Sequence, residues 1–104
     1  MELSGRAVVG TVRTVAPLEG ARVPAYRMEI DLGPRLGVKR SSAQLADLYR
    51  PEDLEGRQVV ALVDLEEKRI AGFVSQVLVL GVQTDAGVVL LCPDRPVPDG
   101  LEVF

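Results

Sequence analysis

The chain has 104 residues, a formal net charge of −3, a hydrophobic content of 47 %, and as aromatics only two Tyr and two Phe. That length fits one domain spanning 1–104, and the negative charge excludes a protein that coats nucleic acid by wholesale phosphate neutralisation. With no His and a single Cys92, histidine-based acid/base catalysis, imidazole metal ligation, an intrachain disulfide and a multi-cysteine metal site are all excluded.

No catalytic residue, metal site or cofactor is therefore expected. Cys92 follows the aliphatic run Val88-Val89-Leu90-Leu91 and reads as a small buried hydrophobe. The opening Met1-Glu2-Leu3-Ser4-Gly5-Arg6 lacks an apolar leader, and no apolar run is long enough to span a membrane. A cytoplasmic location without membrane insertion is the expectation. Charge is unevenly spread: residues 22–50 carry six cations and three anions, whereas residues 51–104 carry four cations and ten anions. The front half is thus the side for an anionic partner, or simply a solvated face.

Residues 7–15 are rich in β-branched side chains and predict a first strand, with Gly10 as a bend or bulge. Gly20 and Pro24 bracket the loop after it. Tyr26, Met28, Ile30 and Leu32 then alternate with Arg27, Glu29 and Asp31, the clearest period-two pattern of the chain. Gly33–Gly37 reads as a turn, and Val38–Arg40 as a short strand. A helix from Ser42 to about Tyr49 follows from the spacing of Leu45, Leu48 and Tyr49 behind a serine cap. Pro51–Gly56 has the order of a single terminated helical turn, with proline first and glycine last.

The apolar run from Gln58 to Leu65 predicts a strand buried on both faces or curved within a barrel. Glu66–Arg69 reads as a loop and Val77–Leu80 as another strand. Thr84-Asp85-Ala86-Gly87 predicts a hairpin into Val88–Leu91. Pro93, Pro96 and Pro98 enforce an irregular crossing before Leu101–Phe104, an apolar end that should dock on its own barrel or on a second subunit. About six short strands and one short central helix point to an all-β fold, a small closed OB-like barrel with a mid-chain helix.

The stretch Gly37–Leu45 gathers Lys39, Arg40, Ser41, Ser42 and Gln44, two cations with hydroxyls and an amide, at the expected strand-to-helix junction. It is either an anion- or backbone-binding corner or a serine cap beside two solvated cations. Lys39 and Arg40 cannot both face one side of a strand. Arg27, on the polar face of the best strand, is a phosphate or carboxylate contact or a cross-strand ion pair. Phe73 beside Arg69 is either an exposed stacking platform or core. Adjacent acids such as Glu66-Glu67 have no nearby nucleophile and read as solvated turns.

The segment Pro24–Gly33, followed by Val38–Leu45, resembles the tRNA-binding-domain family, and within it the free-standing CsaA-type proteins, described as export-related chaperones. The likeness continues through Gly56–Ala61, Arg69–Phe73, Ser75–Gly81 and Leu91–Gly100. It implies an all-β, five-stranded OB-fold barrel with additional terminal strands, and a homodimer held together by those terminal segments. It also implies that the barrel's exposed edge binds unfolded or preprotein polypeptide or, as in relatives fused to aminoacyl-tRNA synthetases, tRNA. Residue chemistry and this likeness together give the candidate binding residues Arg27, Lys39, Arg40, Ser41, Ser42, Gln44, Arg69, Phe73, Ser75 and Gln76; the likeness favours Lys39 over Arg40 and matches Ser75 and Gln76, otherwise turn side chains, to the family's ligand-contacting segment. Val23 stands where the family commonly has a basic residue, and Asp64 where an amide is usual. Both weaken phosphate contacts more than peptide contacts.

Overall fold

The computed structural model describes residues 5–104; Met1–Ser4, part of the stretch read for a leader, lies outside them. The alternating segment forms β2 (Tyr26–Asp31), and its even positions Met28 and Ile30, with Leu32 beyond, are at most 1 % exposed. β2 lies between β1 (Ala7–Pro17) and β3 (Val38–Ala43), antiparallel to both. A helical turn, α1 (Gly33–Leu36), occupies the expected turn between β2 and β3.

β1 serves two partners. Its first half pairs with β4 (Gln58–Leu62), from Ala7↔Leu62 to Thr11↔Gln58, and its second half pairs with β2. The bend this requires is supplied by a register shift between Val12 and Thr14, not by Gly10, which sits in register opposite Val59. Glycine is needed at position 10 for space. A Cβ there would stand 2.6 Å from Leu32 Cδ2 and 2.7 Å from Ile30 Cγ2, well inside normal packing distance.

The chain then forms α2 (Pro51–Leu54), the expected single turn, with the Asp53 carboxylate accepting the Arg50 N–H at 2.9 Å. Two hairpins follow the barrel strands: β5 (Lys68–Ile70) with β6 (Phe73–Ser75), and β8 (Gly81–Thr84) with β9 (Gly87–Leu90). Between them β7 (Leu78–Val79) adds to β4. The main sheet has the order β3-β2-β1-β4-β7, curled so that its two outermost strands face one another in a nearly closed barrel. Its core is the aliphatic cluster of Val8, Val12, Met28, Ile30, Leu32, Leu54, Val59 and Ala61. Full burial of each larger aliphatic side chain contributes about 1.5–3 kcal/mol.

Several expectations are corrected. The helix over Ser42–Tyr49 does not form: β3 continues through Ala43, and only the Tyr49 N–H to Leu45 C=O bond at 3.1 Å survives of its helical ladder. Neither serine caps a helix, because strand pairing places Ser41 opposite Met28, inside the barrel. The long strand stops at Leu62, since Asp64 adopts a left-handed backbone (φ 61°), a conformation that Asn and Asp tolerate better than most residues. Lys68 and Arg69 belong to β5 and not to a loop. Of Val77–Leu80 only Leu78–Val79 is strand, as β7, with β8 starting beyond it at Gly81, and the strands exceed the expected six. Cys92 is exposed, on the proline-punctuated crossing and not in the core.

The C-terminal segment docks through its backbone on its own barrel. Val103 N–H donates to Ala7 C=O at 2.8 Å and Val9 N–H to Leu101 C=O at 2.9 Å, while the Leu101, Val103 and Phe104 side chains stay exposed. Gln58 anchors the crossing before it, with Nε2 donating to Val97 C=O at 2.6 Å and Oε1 accepting the Val97 N–H at 3.0 Å. Among the described residues no helix is long and apolar enough to cross a membrane.

Candidate binding cleft at the barrel seam

β3 and β7 are the two free edges of the curled sheet, and the seam between them is only partly closed. Arg40 C=O accepts the Gln76 N–H at 2.8 Å and the Val77 N–H at 3.2 Å. Elsewhere side chains replace the missing strand: Gln76 Oε1 accepts the Arg40 N–H at 3.0 Å, and Ser75 Oγ accepts the Ser42 N–H at 3.1 Å. Gln76 Nε2 in turn donates to Glu67 Oε2 at 3.1 Å, and the Ser75 hydroxyl donates to Val77 C=O at 3.3 Å. Ser75 and Gln76 thus close the barrel as well as bordering its opening.

Beyond Ser42 the edges part and leave a cleft of ≈ 1030 Å³. The Gly20–Ala25 loop, the end of β3, the β5–β6 hairpin and the Ser75–Val79 segment form its walls. Val23, Leu65, Ile70, Leu78, Val79 and Val88 make it mainly apolar, with Arg22, Lys68 and Glu66 as its charged groups. These apolar residues were not candidates from the sequence. Val23, 51 % exposed at the cleft wall, shares no local motif with the others, and nothing in its own stretch of sequence marks it.

The cleft brings together four of the expected binding residues: Ser42, Gln44, Ser75 and Gln76. Ser41 is removed from the surface, at 0 % exposed, with its hydroxyl donating to Ser42 C=O at 3.4 Å. Lys39 and Arg40 diverge, as alternation requires. Lys39 lies opposite Ile30 and lines a separate pocket of ≈ 230 Å³ with Leu36, Asp64 and Glu67, whereas Arg40 is exposed opposite Glu29. Arg27 is exposed opposite Ser42 and forms no ion pair among the described residues. Phe73 is half-buried, and the Arg40 guanidinium stands 5.8 Å from its ring centroid, within the range of a cation–π contact. Arg69 is exposed on β5, its Nη1 donating to Gly72 C=O at 3.4 Å.

Two carboxylates carry arginine partners. Asp64 accepts from Arg6 Nε at 2.7 Å, and that hydrogen bond holds its carboxyl below the usual carboxylate range. Asp31 is held low in the same way, first by Arg13 Nη2 at 2.7 Å and then by the Gly33 N–H at 3.0 Å. The Asp64 carboxylate therefore carries its own counterion.

Residues 7–102 match the family described as "Putative tRNA binding domain". The methionine–tRNA ligase of Methanothrix thermoacetophila is 36 % identical over 92 residues, a stretch that is 88 % of this chain and 13 % of that enzyme. Among solved structures, the chaperone CsaA of Bacillus anthracis is 49 % identical with a TM-score of 0.88, covering 95 % of this chain and 90 % of that one. The CsaA chaperone protein of Picrophilus torridus is 38 % identical with a TM-score of 0.90, covering 97 % and 92 %. The chain thus spans a small part of the ligase and nearly all of each chaperone chain. The matched span, these identities and the TM-scores agree: the chain belongs to the tRNA-binding-domain family, as a CsaA-type member.

Proposed function

We propose that the chain is a non-enzymatic, cytoplasmic binding module that acts as an export-related chaperone, holding unfolded or preprotein polypeptide in the seam cleft. The observation that carries this reading is the cleft itself: ≈ 1030 Å³, open and walled mainly by aliphatic side chains. Such a surface gains from covering apolar segments that a folded client would have buried. Two CsaA chaperones among the solved structures support the same reading. A homodimer completes it, supported by the exposed Leu101, Val103 and Phe104 on a segment that the barrel already holds by its backbone.

The test measures binding of a reduced, carboxymethylated polypeptide by fluorescence anisotropy, with the mass in solution determined by light scattering. Val23→Asp places a charge at the cleft wall on an exposed side chain, so it should weaken binding without lowering stability. Absence of binding by the parent protein overturns the reading.

A second reading, tRNA binding, is favoured by the family match and the ligase relatives. Arg27, Arg40, Arg69 and Phe73 lie outside the apolar cleft and would supply phosphate and stacking contacts. Salt separates the two. RNA affinity falls steeply with ionic strength as counterions are released, whereas apolar capture persists.

A further inference from the structure

The cleft is bounded by a nearly complete ring of chain. Pairing of Tyr26 with Ala43 ties the end of the Gly20–Ala25 loop to β3, and β3 is tied in turn to Ser75 and Gln76 at the base of the β5–β6 hairpin. From there the pairs Lys68↔Ser75, Arg69↔Val74 and Ile70↔Phe73 carry the wall out to the turn at Ala71 and Gly72. That turn comes back to the loop. A Cβ placed on Gly20 would stand 3.6 Å from Ala71 Cβ, an ordinary van der Waals contact, so the space between the two is about a methyl group wide. Both residues line the cleft.

This join differs from the rest of the ring. No hydrogen bond or ion pair among the described residues links the loop to the hairpin. The loop is closed at its own base by Leu18 N–H donating to Ala25 C=O at 2.9 Å, and the tips at Gly20, Ala71 and Gly72 are exposed. Segments held at the base and free at the tip open at low cost. Ala71 also has a φ of 50° beside Gly72 at 81°, the left-handed pair of a tight hairpin turn that Asn and Gly ordinarily supply. Glycine at position 71 would meet the backbone demand and leave no side chain facing Gly20. Strain kept against that easier alternative marks a position whose side chain is used.

We propose that the Ala71 turn and the Gly20 loop form a gate on the cleft, closed in this conformation and parted when unfolded polypeptide enters. This rests on the polypeptide reading above and adds its conformational step. A side chain can enter over a closed rim. An extended internal segment of a long chain must leave the cleft at both ends, and extended main chain needs ~4.7 Å to a neighbour on either side, more than the gap leaves. The parted state alone takes main chain, so the apparent affinity for polypeptide is the intrinsic affinity scaled by the fraction of molecules whose gate is open.

Gly20→Cys with Ala71→Cys, in a Cys92→Ser background that removes the exposed native thiol, brings two Cβ atoms to a separation that a disulfide spans. Fluorescence anisotropy follows binding of fluorescein-labelled, carboxymethylated lactalbumin, which has no thiol of its own, to the oxidised and the reduced form of this variant. Oxidation should weaken binding at least about tenfold and reduction should restore it, while the small apolar dye anilinonaphthalene sulfonate binds both forms within about twofold. Equal polypeptide binding by the two forms overturns the gate and leaves the polypeptide reading standing. Equal loss of dye and polypeptide on oxidation shows a collapsed cleft and overturns the gate as well. Failure of the folded variant to form the disulfide shows that the two walls do not meet, with the same consequence. Failure of the parent protein to bind the polypeptide overturns both proposals. Because a side chain at Gly20 (φ 84°) strains the loop, Ala21→Cys with Ala71→Cys, joined by a short bismaleimide, imposes the same lock if the first variant does not fold.

Discussion

Gln76 meets Arg40 twice: its backbone N–H donates to the Arg40 carbonyl at 2.8 Å, and its side-chain Oε1 accepts the Arg40 N–H at 3.0 Å. One residue thus supplies both halves of a strand rung, and the barrel closes there without a continuous ladder.

Gln76→Ala should accordingly destabilise the fold by about 1–2 kcal/mol, because the Arg40 N–H loses its acceptor and the contact with Glu67 goes too. Ser75→Ala, which orphans the Ser42 N–H, should cost about 1 kcal/mol. Because both side chains close one seam, the double variant should depart from the sum of the two effects. Urea denaturation of the three variants measures the departure. A Gln76→Ala variant as stable as the parent would show that the seam bond contributes nothing net.

Gly10→Ala and Gly37→Ala should separate crowding from backbone strain. At position 10 the new Cβ meets Leu32, Ile30 and the Asp31 carbonyl oxygen at 2.6–2.9 Å, whereas at position 37 it meets nothing within 4 Å. Overpacking should cost about 1–3 kcal/mol at Gly10. The φ of 72° at Gly37 should cost about 1–2 kcal/mol. The discriminating readout is structural: only Gly10→Ala should shift the methyl resonances of Leu32 and Ile30.

Acid should unfold the protein partly through Asp31 and Asp64. Both carboxyls are held below their ordinary value in the folded chain, Asp31 by Arg13 and Asp64 by Arg6. The unfolded chain therefore binds more protons as pH drops below about 4, and stability present above that range is lost as pH falls through the folded pKa values. Asp64→Asn keeps a residue suited to the left-handed backbone and should flatten this part of the acid profile. Because both pairs are solvent-accessible, added salt should shrink the effect. Denaturation midpoints followed from neutral to acid pH, with and without salt, check the sign.

Lys39 and Arg40 should behave differently in any RNA-binding assay despite their adjacency. Arg40 is exposed beside Phe73, whereas Lys39 lines the small pocket with Asp64 and Glu67. If RNA binds, Arg40→Ala should lower affinity and reduce the slope of log affinity against log salt by about one, while Lys39→Ala should change neither. Equal losses from both variants would place Lys39 at the phosphate contact after all.

The alternation Tyr26-Arg27-Met28-Glu29-Ile30-Asp31 settles β2 and its buried face without reference to any other part of the chain, because the pleat itself has period two. Thr84–Gly87 likewise dictates its hairpin, and Pro51–Gly56 its helical turn, since local dihedral preferences are sufficient there. The separation of Lys39 from Arg40 follows from the same pleat. Ser42–Tyr49 shows where that reach ends. Helical spacing of Leu45, Leu48 and Tyr49 is genuine, but β2 offers Ser41 to Ala43 a ladder, and the buried Met28 and Ile30 hold β2 in place to offer it. Long-range pairing therefore overrides the local preference.

The cleft is wholly a product of assembly. Val23, Ile70, Val79 and Val88 are scattered across the sequence with no shared motif, and they meet only because the curled sheet stops short of closing. Composition and periodicity decided that this chain makes a small aliphatic barrel without histidine or paired-cysteine chemistry. Which strand edges remain unpaired, and hence where a partner can be held, depended on how far β3 and β7 approach across the seam. That is a sum of contacts around the whole barrel, and no local stretch of residues encodes it.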